Sequence, residues 1–262
     1  MKERRTAGPQ DVASGAALTA GANRLGAAGR ETAEAACKAP REAVGTPTSP
    51  RFFAIVPAAG QSVRMGRPKL LLPWGTATVI EAVLQAWAAA GVINQVVVVL
   101  HRDNRPLHDL CRRAGVMMVI PDHPPPDMKS SVLAGLEHVG RLFVPTGRDS
   151  WLLAPADFPQ LSAAVIQQLV ARRQSLLGAS DGDQRILVPR HAGRRGHPVL
   201  FPWNTVPRVR SLTTSQGINA LLTEAHTLFL DIDTPQIAGE MNTPHDYDQL
   251  RREFDGPPRD GP

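Results

Sequence analysis

The chain has 262 residues, of which 42% are hydrophobic and 20% are charged, and this length suits one large domain or two small ones. The formal net charge is +5, but the cationic residues are spread thinly and do not interleave with aromatic residues. This pattern predicts a solvated Arg-rich surface or attraction of an anionic substrate, and it argues against nucleic acid as a partner. The sequence contains no apolar run of the roughly 18–20 residues that a membrane span needs, so no membrane partner is expected.

The two cysteines, Cys37 and Cys111, lie far apart and lack metal-ligand spacing. They indicate a reduced, cytoplasmic setting. The basic residues 1–5 are not followed by the apolar stretch of a secretory signal, which agrees with that location.

The first fifty residues differ in composition from the rest of the chain. Residues 1–50 are rich in Ala, Gly, Thr, Arg and Glu and contain no aromatic residue. They carry too little apolar surface to offset the entropy lost on ordering, so we interpret them as a disordered extension. The tail at residues 255–262 (DGPPRDGP) is expected to be disordered as well. One folded domain is therefore predicted at residues 51–254.

Strand and helix signals alternate through the first part of this domain. Short apolar runs bounded by turn residues predict buried strands, and apolar residues at helical spacing predict the helices between them. The strands are predicted at residues 52–57, 95–100, 116–120 and 151–154, and the helices at residues 78–91, 105–114, 130–142 and 162–173. Four such units predict an α/β fold with a doubly wound, mostly parallel sheet and helices on both faces.

The pattern is looser after residue 173. Further strands are predicted at residues 186–189, 198–201 and 227–232, and further helices at residues 215–225 and 245–254. A doubly wound sheet binds its ligands at the carboxyl ends of its strands, so the chemistry is expected in the loops that follow Pro57, Pro121, Ala154 and Pro198.

The loop after the first strand contains residues suited to binding phosphate. It reads PAAGQSVRMGRPK over residues 57–69. Its small residues allow close approach of the backbone to an anion, while Arg64 and Lys69 supply positive charge. It matches neither G-x-x-x-x-G-K-[ST] nor G-x-G-x-x-G. From these residues alone, a phosphate site and a plain strand-to-helix connection both remain open.

The string A-A-G-x-S-x-R-M-G-x-x-K resembles the signature loop of the MobA-like nucleotidyltransferases, the molybdenum-cofactor guanylyl- and cytidylyltransferases and their relatives. The matching residues are Ala58, Ala59, Gly60, Ser62, Arg64, Met65, Gly66 and Lys69. The resemblance implies a Rossmann-like nucleotidyltransferase domain that binds a nucleoside triphosphate through this loop. It also implies Arg64 and Lys69 as catalytic cations, and a molybdoenzyme or its chaperone as a further partner.

Asp157 follows the predicted strand at residues 151–154, in the string PADFP. A carboxylate in a loop stiffened by prolines suits a hard cation, although from the residues alone a turn or capping role is equally open. The string resembles the family's magnesium-binding loop, which implies Mg²⁺ as the cofactor and Asp157 as a catalytic metal ligand. Asn242 is the expected second ligand because residues 240–247 fit the family pattern D-x-[DN]-T-P-x-D-[YL]. Asp233 is its rival.

Residues 127–132 (DMKSSV) match the family's G-M-x-x-S-[LV], a segment that helps to define the base pocket. Ser130 and Ser131 are therefore expected to bind the nucleotide. Asp127 stands where the family usually has Gly, and Lys129 adds a charge. This departure leaves the choice between CTP and GTP open, with CTP favoured.

The string GHPVLF, which begins at Gly196, resembles the acceptor-side loop of the cytidylyl branch. Gly196 and His197 are therefore expected to bind the acceptor. Three interpretations remain: transfer to molybdopterin, transfer to a sugar or polyol phosphate, and a non-catalytic nucleotide-binding scaffold.

Overall fold

The computed structural model describes residues 49–60, 62, 65–179, 182–239 and 241–255. The predicted disordered extension, apart from residues 49 and 50, lies outside these ranges. Arg64 and residues 256–262 of the predicted tail lie outside them too. Within these ranges, none of the helices has both the length and the apolarity to cross a membrane.

The described residues form alternating strands and helices over the first part of the domain. The strands are β1 (Phe52–Ala58), β2 (Pro73–Trp74), β3 (Ala77–Thr78), β4 (Gln95–Leu100), β5 (Met117–Val119), β6 (Ser150–Leu153), β7 (Ile186–His191), β8 (Arg194–Arg195), β9 (Val199–Pro202) and β10 (Thr227–Asp231). The helices are α1 (Val79–Ala90), α2 (Arg105–Arg113), α3 (Met128–Phe143), α4 (Ala163–Gly178), α5 (Val206–Ser211) and α6 (Pro244–Asp255).

The main sheet has the strand order β10-β7-β9-β6-β1-β4-β5, with β8 paired to β7. The pairs β1–β4, β1–β6, β4–β5 and β7–β10 are parallel, whereas β9 is antiparallel to both of its neighbours. The chain runs outward from β1 through β4 to β5 and then returns to the other side of β1 as β6. The strand order therefore reverses between β1 and β6, which is where such sheets bind ligands.

The sheet is covered by helices on both faces, as predicted. Alternate residues of β1 point to opposite sides, so Phe52, Ala54 and Val56 belong to one buried cluster and Phe53 and Ile55 to another. Helices α1, α2, α4 and α6 contribute to the first cluster, and α3 and α5 to the second. The predicted doubly wound, mostly parallel fold is confirmed.

The sequence predicts the ends of α1 well because both caps are local. Thr78 and Glu81 form a capping box, and Gly91 ends the helix in the left-handed conformation. In contrast, α3 begins at Met128 rather than at the predicted residue 130, because the Asp127 side chain accepts a hydrogen bond from the Ser130 N–H.

The predicted helix at residues 215–225 is wrong. The chain forms two short 3₁₀ turns instead, Ile218–Leu221 and Glu224–His226. Gly217 is extended, with φ −89° and ψ 174°, and serine, threonine and glycine near it favour turns over a helix. The short helix α5 precedes this region and was not predicted.

Candidate active site

Three loops meet where the strand order reverses. The loop after β1 carries the predicted phosphate-binding residues, the loop after β6 carries Asp157, and the segment after β5 leads into α3. Residues of all three loops line one cavity of about 240 Å³, which we call the first cavity. The sequence predicted all three loops at this edge of the sheet, as those that follow Pro57, Ala154 and Pro121, and the sheet order brings them together.

The loop after β1 is fixed to the protein at several described points. Met65 is buried and donates its N–H to the Ser62 carbonyl at 3.0 Å, and the Ser62 hydroxyl accepts the N–H of Lys69 at 3.2 Å. Ser62 has a φ of 53° and Gly66 a φ of 63°, so the backbone bends twice through the left-handed region. These contacts hold the described part of the loop in one conformation beside the cavity.

The first cavity has room at the predicted phosphate-binding residues. Ala58, Ala59 and Gly60 all line it. A Cβ atom built on Gly60 would meet no atom of the described residues beyond its chain neighbours within 4 Å, so the packing of these residues does not require glycine there. A glycine in that position leaves space for a ligand to approach the backbone closely.

Lys69 and Asp157 form an ion pair at the rim of the first cavity. The ammonium of Lys69 donates to a carboxylate oxygen of Asp157 and lies 3.4 Å from the Met241 carbonyl oxygen. Only 18% of the Lys69 side chain and 20% of the Asp157 side chain are exposed. Asp157 therefore already holds a cation, and Lys69 connects the loop after β1 to the loop after β6.

A second cavity of about 480 Å³ adjoins the first and shares Asp127 and Asp157 with it. Predicted residues of the acceptor side and the metal site line it, namely His197 and Asn242, and Lys129 lies beside them. The His197 ring packs edge-on against Phe158, with ring centroids 5.6 Å apart. Asp157 thus lies between two cavities, one bordered by the phosphate-binding loop and the other by the predicted acceptor residues.

Asn242 is positioned by the start of α6. The Asp246 carboxylate accepts the N–H groups of Asn242 and Thr243 at 3.0 and 2.7 Å. The hydrogen bonds from Thr243 and Asn242 lower the pKa of Asp246, with the Thr243 bonds contributing most. The rival ligand Asp233 lies elsewhere, in a surface cavity with Arg190 and His191. Of the two candidates, the structure brings only Asn242 into the cavity of Asp157.

The remaining predicted site residues differ in whether they line a cavity. Ser131 lines the first cavity, whereas the N–H of Ser130 serves the cap at Asp127. Gly196 packs against residue 237, where an added Cβ would lie 2.3 Å from the Ile237 carbonyl oxygen, so this glycine has a packing role. Arg64 lies outside the described residues.

One part of the second cavity was not predicted from the sequence. The segment at residues 214–219 lines it, and its side chains include hydroxyl and amide groups from Thr214, Ser215, Gln216 and Asn219. Lys129 holds this segment by donating to the carbonyl oxygen of Thr213 at 2.6 Å. The run TTSQG at residues 213–217 is typical of a loop and could have identified it.

The donor groups suit a divalent cation that also binds a phosphate ligand. Among the described residues, no three His, Cys, Asp or Glu side chains converge as a complete metal cage. Asp157 and Asn242 line one cavity and supply a carboxylate and an amide oxygen. Magnesium is usually bound by one or two carboxylates together with substrate phosphates, so this sparse donor set fits it.

Comparison with known proteins places the chain in a family. Residues 54–228 match the MobA-like NTP transferase domain. The probable molybdenum cofactor guanylyltransferase of Bacillus cereus (strain AH820) is 25% identical over 219 residues, which cover 78% of this chain and 98% of the relative. The molybdenum cofactor cytidylyltransferase of Escherichia coli (strain K12) is 22% identical over 194 residues, covering 74% and 92% of the two chains.

Solved structures show the same fold. Rv0371c from Mycobacterium tuberculosis H37Rv superposes with a TM-score of 0.61 and 25% identity, covering 78% of this chain and 99% of that protein. The same protein solved in complex with manganese gives a TM-score of 0.60 and 23% identity, covering 77% of this chain and 98% of that one. With the family match and the site geometry, these findings establish that the chain belongs to the MobA-like NTP transferase domain family and is a nucleotidyltransferase.

Proposed function

We propose that this chain transfers a nucleoside monophosphate group from a nucleoside triphosphate to a phosphate-bearing acceptor and releases pyrophosphate. CTP is the favoured donor and molybdopterin the favoured acceptor. The observation that carries the proposal is the ion pair of Lys69 and Asp157 at the junction of two adjoining cavities. A group-transfer enzyme needs two substrate sites that meet at the reacting atoms.

The names of the two relatives support molybdopterin as the acceptor, since both are molybdenum cofactor nucleotidyltransferases. The names of the two relatives indicate different bases, because one is a guanylyltransferase and the other a cytidylyltransferase. The segment at residues 130–132 and the string that starts at Gly196 resemble the cytidylyl branch, which is why CTP is placed first. A molybdoenzyme or its chaperone would then receive the product. The reduced state expected of the cysteines supports a cytoplasmic location.

The proposed reaction needs no general base from the protein. An oxygen of the acceptor phosphate, already anionic at pH 7, forms a bond to the α-phosphorus. The bond from that phosphorus to the oxygen bridging to the β-phosphate breaks, and pyrophosphate leaves with the electron pair. Catalysis then depends on holding the two substrates in line and on neutralising charge.

Each proposed residue has one task in this scheme. The loop after β1 would present its backbone N–H groups to the triphosphate. Lys69 and Arg64 would neutralise the charge that gathers on the leaving pyrophosphate. Asp157 and Asn242 would hold Mg²⁺, which supplies charge neutralisation at the α-phosphate. His197 lies where the acceptor would be contacted.

Pyrophosphate release tests this function. The purified chain is incubated with Mg²⁺ and each of CTP, GTP, ATP and UTP, with molybdopterin or with a panel of sugar and polyol phosphates. We expect release to require molybdopterin and to be fastest with CTP. Pyrophosphate release only with a sugar or polyol phosphate would identify that compound, and not molybdopterin, as the acceptor. Binding of a triphosphate without pyrophosphate release with any acceptor would identify the chain as a nucleotide-binding scaffold. If no triphosphate raises the melting temperature, the proposal fails.

A further inference from the structure

One wall of the first cavity is formed by the residues that lead into α3. Pro125, Pro126, Asp127, Met128 and Ser131 all line it. The phosphate-binding residues and Lys69 line the cavity from the loop after β1. A triphosphate is repelled by a carboxylate and attracted by an ammonium group, so its phosphates belong beside Lys69. The base then belongs beside the wall that contains Asp127.

This wall is rich in hydrogen-bond acceptors. Pro125 and Pro126 have no N–H group, so their backbone can only accept. The Ser131 hydroxyl uses its hydrogen in a bond to the Asp127 carbonyl oxygen at 3.2 Å, so toward a ligand it is available as an acceptor.

The Asp127 carboxylate adds a charged acceptor to the same wall. Its Oδ1 accepts the N–H of Ser130 at 2.7 Å, and chiefly because of this bond the pKa of Asp127 is lowered. The group is therefore ionised at neutral pH, and an ionised carboxylate has about four acceptor sites, of which the cap uses one.

Capping alone does not require this charge. Asparagine and serine cap helices about as well as aspartate, and both are neutral. A negative charge beside a site for a polyanion weakens binding unless part of the ligand compensates for it. A donor group on the base supplies that compensation.

We propose that Asp127 makes this site select a base that carries an exocyclic amino group and exclude uracil. Cytosine presents an amine at the position where uracil presents a carbonyl oxygen. The amine donates to the carboxylate, whereas the carbonyl oxygen faces it with like partial charge. Guanine also carries an amino group, so the selection does not depend on which of the two bases is the natural one. This inference rests on the proposed function, because it assumes that the first cavity binds a nucleoside triphosphate.

Matched pairs of triphosphates test the selection. CTP and UTP differ by an amine or a carbonyl oxygen at C4 of the base, and the adjacent N3 is an acceptor in cytosine and an N–H donor in uracil. ITP is GTP without its 2-amino group, so this pair isolates the amine. Equilibrium dissociation constants are measured for all four with the wild-type chain, Asp127→Asn and Asp127→Ser. Asparagine and serine retain the helix cap, so α3 is expected to remain intact.

We expect the wild-type chain to bind the amino-bearing member of its preferred pair about 10–100-fold more tightly, as one hydrogen bond to a charged group would give. In Asp127→Asn this preference should fall about tenfold or more, and binding of UTP should strengthen because the amide can donate to the carbonyl oxygen. The control is Asp122→Asn, which removes the same charge from an exposed residue outside both cavities and should leave the preference unchanged.

The possible outcomes distinguish failure of this inference from failure of the proposed function. If CTP or GTP binds but the amino-bearing member is not preferred, or if neither Asp127 variant alters the preference, Asp127 is a helix cap only and this inference is overturned. If none of the four triphosphates binds, the proposed function is overturned as well.

Discussion

Replacing Lys69 with methionine is expected to tighten the binding of a divalent cation to the nucleotide-free chain. The ammonium of Lys69 lies against the carboxylate of Asp157, the proposed metal ligand. A cation that binds Asp157 must therefore displace this ammonium. Methionine keeps much of the apolar stem of lysine but removes the competing charge.

The burial of the ion pair sets the size of the effect. Exposed ion pairs contribute about 0.2–1 kcal/mol, and losing one partner of a fully buried pair costs about 3–5 kcal/mol. With about one fifth of each side chain exposed, this pair falls between those limits, and discounting for solvent gives roughly 1–2 kcal/mol. Because 1.4 kcal/mol is tenfold in affinity, the dissociation constant should fall about 5–30-fold.

Mn²⁺ is the probe, and electron paramagnetic resonance of the free ion measures its binding without nucleotide. Lys129→Met is the matched control, because Lys129 lines the second cavity but donates to the Thr213 carbonyl oxygen. The Mn²⁺ affinity of this variant should change less than about twofold, because the Lys129 ammonium donates to the Thr213 carbonyl oxygen and not to Asp157. With CTP present, Mn²⁺ should bind more weakly to Lys69→Met than to the wild-type chain, because the variant lacks a cation for the triphosphate. Unchanged or weaker Mn²⁺ binding in nucleotide-free Lys69→Met would refute the competition.

Three further predictions follow from single contacts. Asp157→Asn should lower kcat by about 10²–10³ in the pyrophosphate assay because it removes a proposed metal ligand, and loss of the ion pair with Lys69 should lower the melting temperature by only a few degrees. Gly196→Ala should lower the free energy of unfolding in urea by about 2–3 kcal/mol, because its Cβ would lie 2.3 Å from the Ile237 carbonyl oxygen. Asp149→Asn should cost about 3 kcal/mol at pH 7, because this carboxylate is buried and paired with Arg51.

The pH dependence of Asp149→Asn has a defined sign. Burial alone would raise the pKa of Asp149, but the hydrogen bonds from Arg51 and Thr146 outweigh it and the pKa is lowered. A lowered folded-state pKa contributes stability above the unfolded value of about 3.9, and this contribution is lost as the pH falls through the folded-state pKa. The difference from wild type should therefore be constant between about pH 5 and 7 and shrink below about pH 4. A difference that stays constant in acid would contradict this assignment.

The other two predictions have equally direct checks. Gly147→Ala is the control for Gly196→Ala, because its Cβ would meet no atom of the described residues beyond its chain neighbours within 4 Å. This variant should leave stability nearly unchanged. Equal losses in both variants would show that the contact with residue 237 does not matter. Full activity of Asp157→Asn would show that Asp157 takes no part in the reaction.

The sequence predicts the core of the fold because its signals there are local. β1 is a continuous apolar run and β4 is one after Gln95, while both caps of α1 are residues adjacent to the helix or within it. The reversal of strand order between β1 and β6 depends on tertiary packing, and the alternation of strands and helices in the sequence only implies it. Residues 215–225 show the limit of periodicity, because apolar spacing alone suggested a helix where Gly217 and its polar neighbours form turns.

The candidate site shows the same difference between features set by local sequence and features set by tertiary packing. The loop after β1 and the loop around Asp157 could be placed from strand ends and motif spacing. The segment at residues 214–219 reaches the second cavity through its packing and through Lys129, and neither leaves a periodic signal in the sequence. The motif at residues 240–247 already favoured Asn242 over Asp233, and the structure adds that only Asn242 lines the cavity that contains Asp157.

Transfer of labelled nucleotide to the acceptor is the direct measurement of the proposed reaction. The chain is incubated with Mg²⁺, CTP labelled at the α-phosphate and molybdopterin, and the label on the acceptor is counted against the pyrophosphate released. We expect equal amounts of both products in the wild-type chain and about 10²–10³-fold less of both with Asp157→Asn. Label that stays on free nucleotide with every acceptor tried, or transfer that survives in Asp157→Asn, would contradict it.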